Sequence, residues 1–205
     1  MKFYYQGHGS YRFTADDGRV IYVDPYAGGG YDLPADIILV THGHHDHNKV
    51  ELVTRRPGCV LITNAEALAG GTHAAFDFDG IKIEATVAGN KNHDPKKCVG
   101  FILTCAGSGE GGAPLTIYCS GDTSKTERMA ELAERRLDYA IICGDGVYNM
   151  DLDEAAECAE IIGAKHNIPV HLKPSDVGEL FDREGAEKWA APNKLIVLPG
   201  EEITL

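Results

Sequence analysis

Apolar residues fall mostly into short runs separated by Gly, Asp-Gly or Pro-Gly punctuation. Runs of this kind, rich in Ile, Val, Phe and Tyr, read as strands. In the first half they predict strands over residues 2–5, 11–14, 20–24, 37–41, 60–63, 81–86 and 99–105. In the second half they predict strands over 115–119, 139–143, 168–171 and 195–198. The unbroken apolar character of 37–41 is that of a strand buried on both faces. Helices are fewer. A short one is expected over 49–56, ended by Pro57-Gly58. Ser124-Lys125-Thr126-Glu127 has capping-box form and predicts a helix to about residue 136. Asp151, ahead of Leu152-Asp153-Glu154, predicts a capped helix to about 162, and a further helix is expected over 177–190. The mixture implies a layered α/β fold. No linker or low-complexity block interrupts the 205 residues, so 1–205 reads as one domain.

Charge narrows the partners. Lys and Arg total 19 against 31 Asp and Glu, a formal net charge of −12. Bulk-charge binding to nucleic acid or to an anionic membrane is therefore not expected. No apolar run approaches the ~20 residues of a membrane span, and residues 1–8 lack the apolar stretch of a secretory signal. The six cysteines are scattered without a C-x-x-C pair, which points to free thiols in a cytoplasmic protein. A small-molecule substrate is the expected partner, and self-association into a homo-oligomer is compatible with this composition.

The informative segment is Thr41-His42-Gly43-His44-His45-Asp46-His47-Asn48, which holds four of the nine histidines. It follows directly on the apolar run 37–40, at the strand end where open α/β sheets take ligands. Imidazole is the commonest transition-metal ligand, and a carboxylate adds a charged oxygen. His42 and His44 stand two apart, so on extended backbone they lean the same way. Asp46 and His47 follow after a turn and can face a second ion, and Gly43 permits close backbone approach. A histidine-rich surface loop rarely follows a buried strand this closely, so the spacing favours a metal site. One segment cannot enclose two ions. Further ligands are offered by His93 in the polar turn Asn90-Lys91-Asn92-His93-Asp94, by Asp122 in Ser120-Gly121-Asp122-Thr123, and by His171 ending Ile168-Pro169-Val170-His171. Singly, His93 reads as well as a surface histidine and Asp122 as a turn residue; their joint order makes the case.

That order, H-x-H-x-D-H, then His, then Gly-Asp-Thr, then Pro-x-His, resembles the metallo-β-lactamase-fold hydrolase superfamily. Gly7-His8-Gly9-Ser10, Val23-Asp24-Pro25 and Ser120-Gly121-Asp122-Thr123 further resemble its small stand-alone members related to L-ascorbate-6-phosphate lactonase. The resemblance implies a four-layer αββα sandwich, two mixed β-sheets flanked by helices. It implies that His42, His44 and His93 bind one divalent ion, that Asp46, His47 and His171 bind a second, and that Asp122 bridges them. It implies that Asp24 orients a histidine ligand from behind, and that His8 joins Asp46 in the catalytic pocket. His45 holds the variable place in the motif and is expected to point away; His73 and His166 read as ordinary histidines. Secreted β-lactamases of this fold typically carry Cys where this chain has Asp122, and the glyoxalase II-like and tRNA-processing branches carry segments this chain has little room for. It looks like a minimal version.

Two divalent ions ~3.5–4 Å apart would hold and deprotonate a bridging water, and the hydroxide would attack a carbonyl carbon or a phosphorus. Zinc is the default metal; manganese or iron also suits imidazole and carboxylate. Hydrolysis of a small-molecule ester, lactone or related bond is the expected activity. A phosphodiesterase or nuclease on the same site is the alternative, with Lys91, Lys96 and Lys97 near a phosphate; a non-catalytic metal-binding sensor is the third reading. Tyr148 and Asn149, in the glycine-hinged segment 144–150, are placed to touch substrate. Gly107-Ser108-Gly109-Glu110-Gly111-Gly112 satisfies G-x-G-x-x-G, but a strand follows instead of a helix, so a hairpin connection is expected. No G-x-S-x-G occurs and no cysteine adjoins a candidate base, so nucleophilic catalysis lacks support.

Overall fold

The computed structural model describes residues 1–174 and 178–205. The chain supplies β1 (Lys2–Gly7), β2 (Ser10–Thr14), β3 (Val20–Val23), β4 (Ala35–Leu39) and β5 (Arg55–Ile62). Next come α1 (Asn64–Ala67), β6 (Ala75–Phe78), β7 (Ile81–Val87), β8 (Val99–Cys105) and β9 (Leu115–Cys119). The remainder is α2 (Met129–Leu132), β10 (Tyr139–Cys143), α3 (Leu152–Ile162), β11 (His166–Val170), α4 (Arg183–Lys188) and β12 (Glu202–Thr204). Among the described residues two six-stranded sheets result, ordered β12-β1-β2-β3-β4-β5 and β11-β10-β9-β8-β7-β6.

Each sheet is antiparallel along most of its width and turns parallel at one side, through β3-β4-β5 and through β9-β10-β11. Parallel neighbours bring their C-terminal ends to one edge, and that edge carries the loops after β3, β4, β9, β10 and β11. Between the sheets, alternate residues form the main core, including Phe3, Phe13, Leu39, Phe101, Leu103, Ile117 and Ile141. The opposite faces of β8, β9 and β10 present Ile102, Tyr118 and Ile142 to α3 and to Met129, Leu132 and Trp189. With both faces covered, these strands read as continuous apolar runs. The outer face of the first sheet, including Tyr22 and Ile38, is closed by Tyr31, Leu33, Val50 and Val53. This is the sandwich of two mixed sheets with helices outside that the resemblance implies. Among the described residues no helix is long and apolar enough to cross a membrane.

Several local expectations fail for identifiable reasons. Residues 49–56 make only a 3-10 turn, Val50–Leu52, before the chain becomes β5. Pro57 is tolerated there because β5 is an edge strand, and the pairing jumps from Ala35↔Arg55 to Ile37↔Val60, bulging out Pro57 and Gly58. Ser124 to Glu127 does not cap a helix: α2 starts at Met129 with no side-chain cap, and the backbone N–H of Lys125 donates instead to Glu154 on α3. A capping box does form at α1, where Thr63-Asn64-Ala65-Glu66 has the same T-x-x-E form. The helix expected over 177–190 is reduced to α4, capped by Asp182; Val177 lies outside the described residues. Residues 195–198 form no strand; Lys194 makes one bridge to Asn167, and the final strand is β12. The helix after Asp151 forms as predicted, with Asp151 Oδ1 accepting the Glu154 N–H at 2.8 Å and Gly163 closing it at φ 65°.

Asp138 joins the starts of β9 and β10. It accepts the Thr116 N–H and hydroxyl at 2.8 and 3.0 Å, and Lys165 Nζ at 2.7 Å. Burial works against its charge, but Lys165 and Thr116 outweigh that and hold its carboxyl below the ordinary value. A carboxylate with a depressed folded pKa stabilises above its unfolded pKa and loses that contribution as pH falls through the folded one. Asp138→Asn is expected to cost about 1–2 kcal/mol at pH 7 and progressively less toward pH 3; urea titrations across that range check both.

Candidate metal centre

Asp24 follows β3 in the left-handed region, at φ 46°, and Pro25 comes next. Its buried carboxylate accepts the Thr41 N–H and the Thr41 hydroxyl, both at 2.7 Å, and meets His47 Nδ1 at 2.8 Å. Because the Thr41 hydroxyl donates to Asp24, its oxygen must accept from His42 Nδ1, 3.0 Å away. His42 and His47 therefore both carry the proton on Nδ1 and turn Nε2 inward. Asp24 thus stands behind two histidines of the cluster, His47 directly and His42 through Thr41.

The other donors arrive from the second sheet. Asp122 follows β9 across Gly121, where a Cβ would meet Val99 O at 2.7 Å and the Thr41 side chain at 3.0 Å. His171 leaves β11 at φ 49°, its N–H bound to His8 O at 2.9 Å. His93 comes from the loop between β7 and β8, with Nδ1 on Asn90 Oδ1 at 3.0 Å. Gly9 also passes close by: a Cβ there would lie 2.7 Å from His47 Cε1.

All seven expected ligands converge. His42, His44 and His93 bring ligand atoms within 4.8 Å of one another; so do His42, His47 and Asp122; and so do His8, Asp46, His47 and His171. Asp122 stands at the centre, with His47, His93 and His171 Nε2 at 3.4, 3.3 and 3.6 Å from its oxygens. These separations are long for hydrogen bonds. They fit donors sharing a cation, since atoms about 2.0–2.1 Å from a tetrahedral ion stand about 3.3–3.4 Å apart. Consistently, His42 Nε2, His47 Nε2, His171 Nε2 and Asp122 Oδ1 are buried without a hydrogen-bond partner among the described residues. The residues fit a divalent cation.

Burial and mutual repulsion shape the electrostatics. Burial, with His47 nearby, pushes His42 down to about 2. Burial lowers His93 and His171 as well. Burial opposes the shift of His47, but Asp122 and Asp24 outweigh it and raise that imidazole well above its ordinary value. Asp122 is held far below the usual carboxylate range, because His171 and His47 overcome the burial cost. Asp46 is lowered too, through His8 and His47 acting against burial.

A cleft of about 370 Å³ opens onto this cluster, lined by His44, His45, Asp46, His93, Asp122 and Tyr148 among others. Tyr148 is exposed at its rim, whereas Asn149 is buried behind it. His8 is fully buried, lying beneath Asp46 with Nε2 at 3.1 Å from Oδ2 and its ring 3.7 Å from that of His171. It reaches the cleft only through those neighbours. His45 is exposed and turned toward Tyr26. His73 and His166 lie elsewhere, His166 stacked on Tyr139. Burial holds the Cys98, Cys119 and Cys158 thiols up at about 12, so these cysteines are not poised as nucleophiles. The Gly107–Gly112 region is a turn between β8 and β9. Sequence reasoning missed Thr41, Asn90 and Asp145; only the polar turn around Asn90 and the Gly-Asp-Gly at Asp145 signalled them.

Comparison with known proteins agrees with this geometry. The family described as "Beta-lactamase superfamily domain" matches residues 2–171. A UPF0173 metal-dependent hydrolase of Oenococcus oeni is 30% identical over 204 residues, covering 83% of this chain and 85% of the relative. One from Bacillus cereus is 28% identical, with both chains covered in full. Igni18, a metallo hydrolase from the archaeon Ignicoccus hospitalis, has a TM-score of 0.77 at 22% identity over 100% of this chain and 97% of its own, a likeness of fold. From the match over residues 2–171 and the Oenococcus relative, the chain belongs to the beta-lactamase superfamily, among its metal-dependent hydrolases.

Proposed function

We propose that this chain hydrolyses a small-molecule ester, lactone or related bond at a centre for two divalent ions, zinc by default. One observation carries the reading. Three imidazole nitrogens and a carboxylate oxygen, contributed by the loops after β4, β9 and β11, are buried together with no partner but one another among the described residues. Leaving such groups unsatisfied costs about 1–3 kcal/mol each, a cost that bound cations would offset. His42, His44 and His93 would hold one ion, Asp46, His47 and His171 the other, with Asp122 between them. Divalent ions in such a site lower the pKa of water toward neutrality and polarise the oxygen of the bond being broken.

The chain's own side chains do the rest. Asp46 is partly exposed in the cleft, and His8 Nε2–H donates to its Oδ2. That bond keeps the carboxylate ionised and aimed, while Oδ1 takes a proton from the attacking water and returns it to the leaving group. His8 is thus a positioning residue for Asp46. Asp24 and Thr41 hold His42 and His47 in the receiving tautomer. Five of the six thiols are free and buried and the sixth is free and half-buried, which suits a reducing cytoplasm. A second reading, phosphoester hydrolysis, draws support from Lys97, which lines an adjoining hollow of about 430 Å³ with Asn64, Asn92 and His44.

Purified protein is tested for bound metal and for turnover of lactones, thioesters, phosphodiesters and β-lactams. Asp122→Ala is expected to lose metal and activity in parallel, by more than the about 10–100-fold that an outer partner is worth. Activity that survives chelation would overturn the mechanism, and full metal loading without turnover on any class would favour a sensor. Asp46→Asn, close to isosteric, is expected to lower kcat about 10²–10⁴-fold at a metal content the same assay reads directly.

A further inference from the structure

One side chain grips the back of the His93 ring and also the opposite rim of the cleft. Asn90 Oδ1 accepts from the His93 N–H and from His93 Nδ1, both at 3.0 Å, and from the Asn92 N–H at 2.8 Å. Its Nδ2 donates to Tyr148 O at 3.0 Å and to Asn149 Oδ1 at 3.1 Å. Asn92 Nδ2 adds a second donor to Tyr148 O at 2.9 Å. Beyond the rim, Asn149 Nδ2 donates to Asp145 Oδ2 at 2.7 Å, and Asp145 Oδ1 accepts the Val147 and Tyr148 N–H groups, each at 2.7 Å. Asp145 Oδ2 in turn lies 3.7 Å from His171 Nδ1, within reach of charge attraction.

The amide orientation follows from this network. Turned over, the Asn90 NH₂ would face two backbone N–H donors, those of Asn92 and His93, and its oxygen would face the Tyr148 carbonyl. With Oδ1 fixed as an acceptor, His93 must carry its proton on Nδ1. Its Nε2 then presents a lone pair toward Asp122, 3.3 Å away. The same amide reaches the segment bearing Val147 and Tyr148, both more than half exposed, at 53% and 52%. Of the two, Tyr148 lines the cleft.

We propose that Asn90 is a two-ended positioning residue. One end sets the His93 tautomer for metal capture, and the other makes the Tyr148 rim part of the same rigid unit. The inference rests on reading the cluster as a metal centre. It also assigns the rim a fixed shape that travels with His93, backed by Asp145 on the His171 side.

Two variants separate the ends. Asn90→Ala removes both; Asn90→Asp keeps an acceptor for His93 but loses the donors to Tyr148 O and Asn149. Metal-free protein labelled with ¹⁵N in histidine is expected to show His93 as the Nδ1–H tautomer in wild type and Asn90→Asp, and to lose that preference in Asn90→Ala. Zinc affinity, read by competition with a chromophoric chelator, is expected to fall about 10–100-fold in Asn90→Ala and to persist in Asn90→Asp. Amide exchange at Tyr148 and Asn149 is expected to quicken about tenfold in both variants. An Asn90→Ala chain with wild-type tautomer and zinc affinity, or an Asn90→Asp chain with unchanged rim exchange, would overturn the proposal. Wild-type protein that takes up none of zinc, manganese and iron would overturn the metal reading itself, while the tautomer and exchange measurements on metal-free protein still judge Asn90.

Discussion

The buried carboxylate of Asp24 is the constraint on which the site depends. It sits where β3 stops and binds the first residue of the histidine loop through both backbone and hydroxyl. That double attachment brings the ends of β3 and β4 together. The same carboxylate holds His47 directly and His42 through the Thr41 hydroxyl, so one residue sets the direction of two rings. A buried acid with three donors has little freedom to move, and the imidazoles it orients inherit that rigidity.

The second sheet meets this arrangement with Asp122. Its oxygens stand among His47, His93 and His171, drawn from three different loops. Bringing several imidazoles and carboxylates into a dry place is unfavourable by itself. The fold carries that burden because the apolar faces of both sheets pack around Phe3, Phe101, Ile117 and Ile141. Glycines at 9 and 121 take part for a steric reason, since side chains there would strike His47 or Thr41. Core packing, close backbone approach and polar alignment therefore all serve the same edge of the sandwich.

Individual elements show how local pattern and tertiary context divide the work. The strands at 99–105, 115–119 and 139–143 coincide with their apolar runs because both faces are covered and nothing competes for those residues. The helix after Asp151 forms because a cap, an amphipathic stretch and a closing glycine all agree. By contrast, the capping-box letters at 124–127 are overruled. Thr123 and Ser124 are tied to Gly89, and Lys125 to Glu154, which pulls the segment across the sheet before a helix can start. Pro57-Gly58, read as a helix stop, instead bulges from an edge strand.

The sequence by itself determined the α/β class, most of the buried strands and the set of side chains able to hold a cation. Those properties follow from apolar periodicity and from the chemistry of imidazole and carboxylate, which are local. Only the tertiary structure decided which ring nitrogen faces inward, that His8 lies under Asp46 instead of at the cleft surface, and that Asn90 and Asp145 tie the Tyr148 rim to the histidines. Each of these is a contact between residues far apart in the chain, or an orientation imposed by one. They depend on how β3, β4, β9, β10 and β11 align their ends, a relation no local pattern encodes.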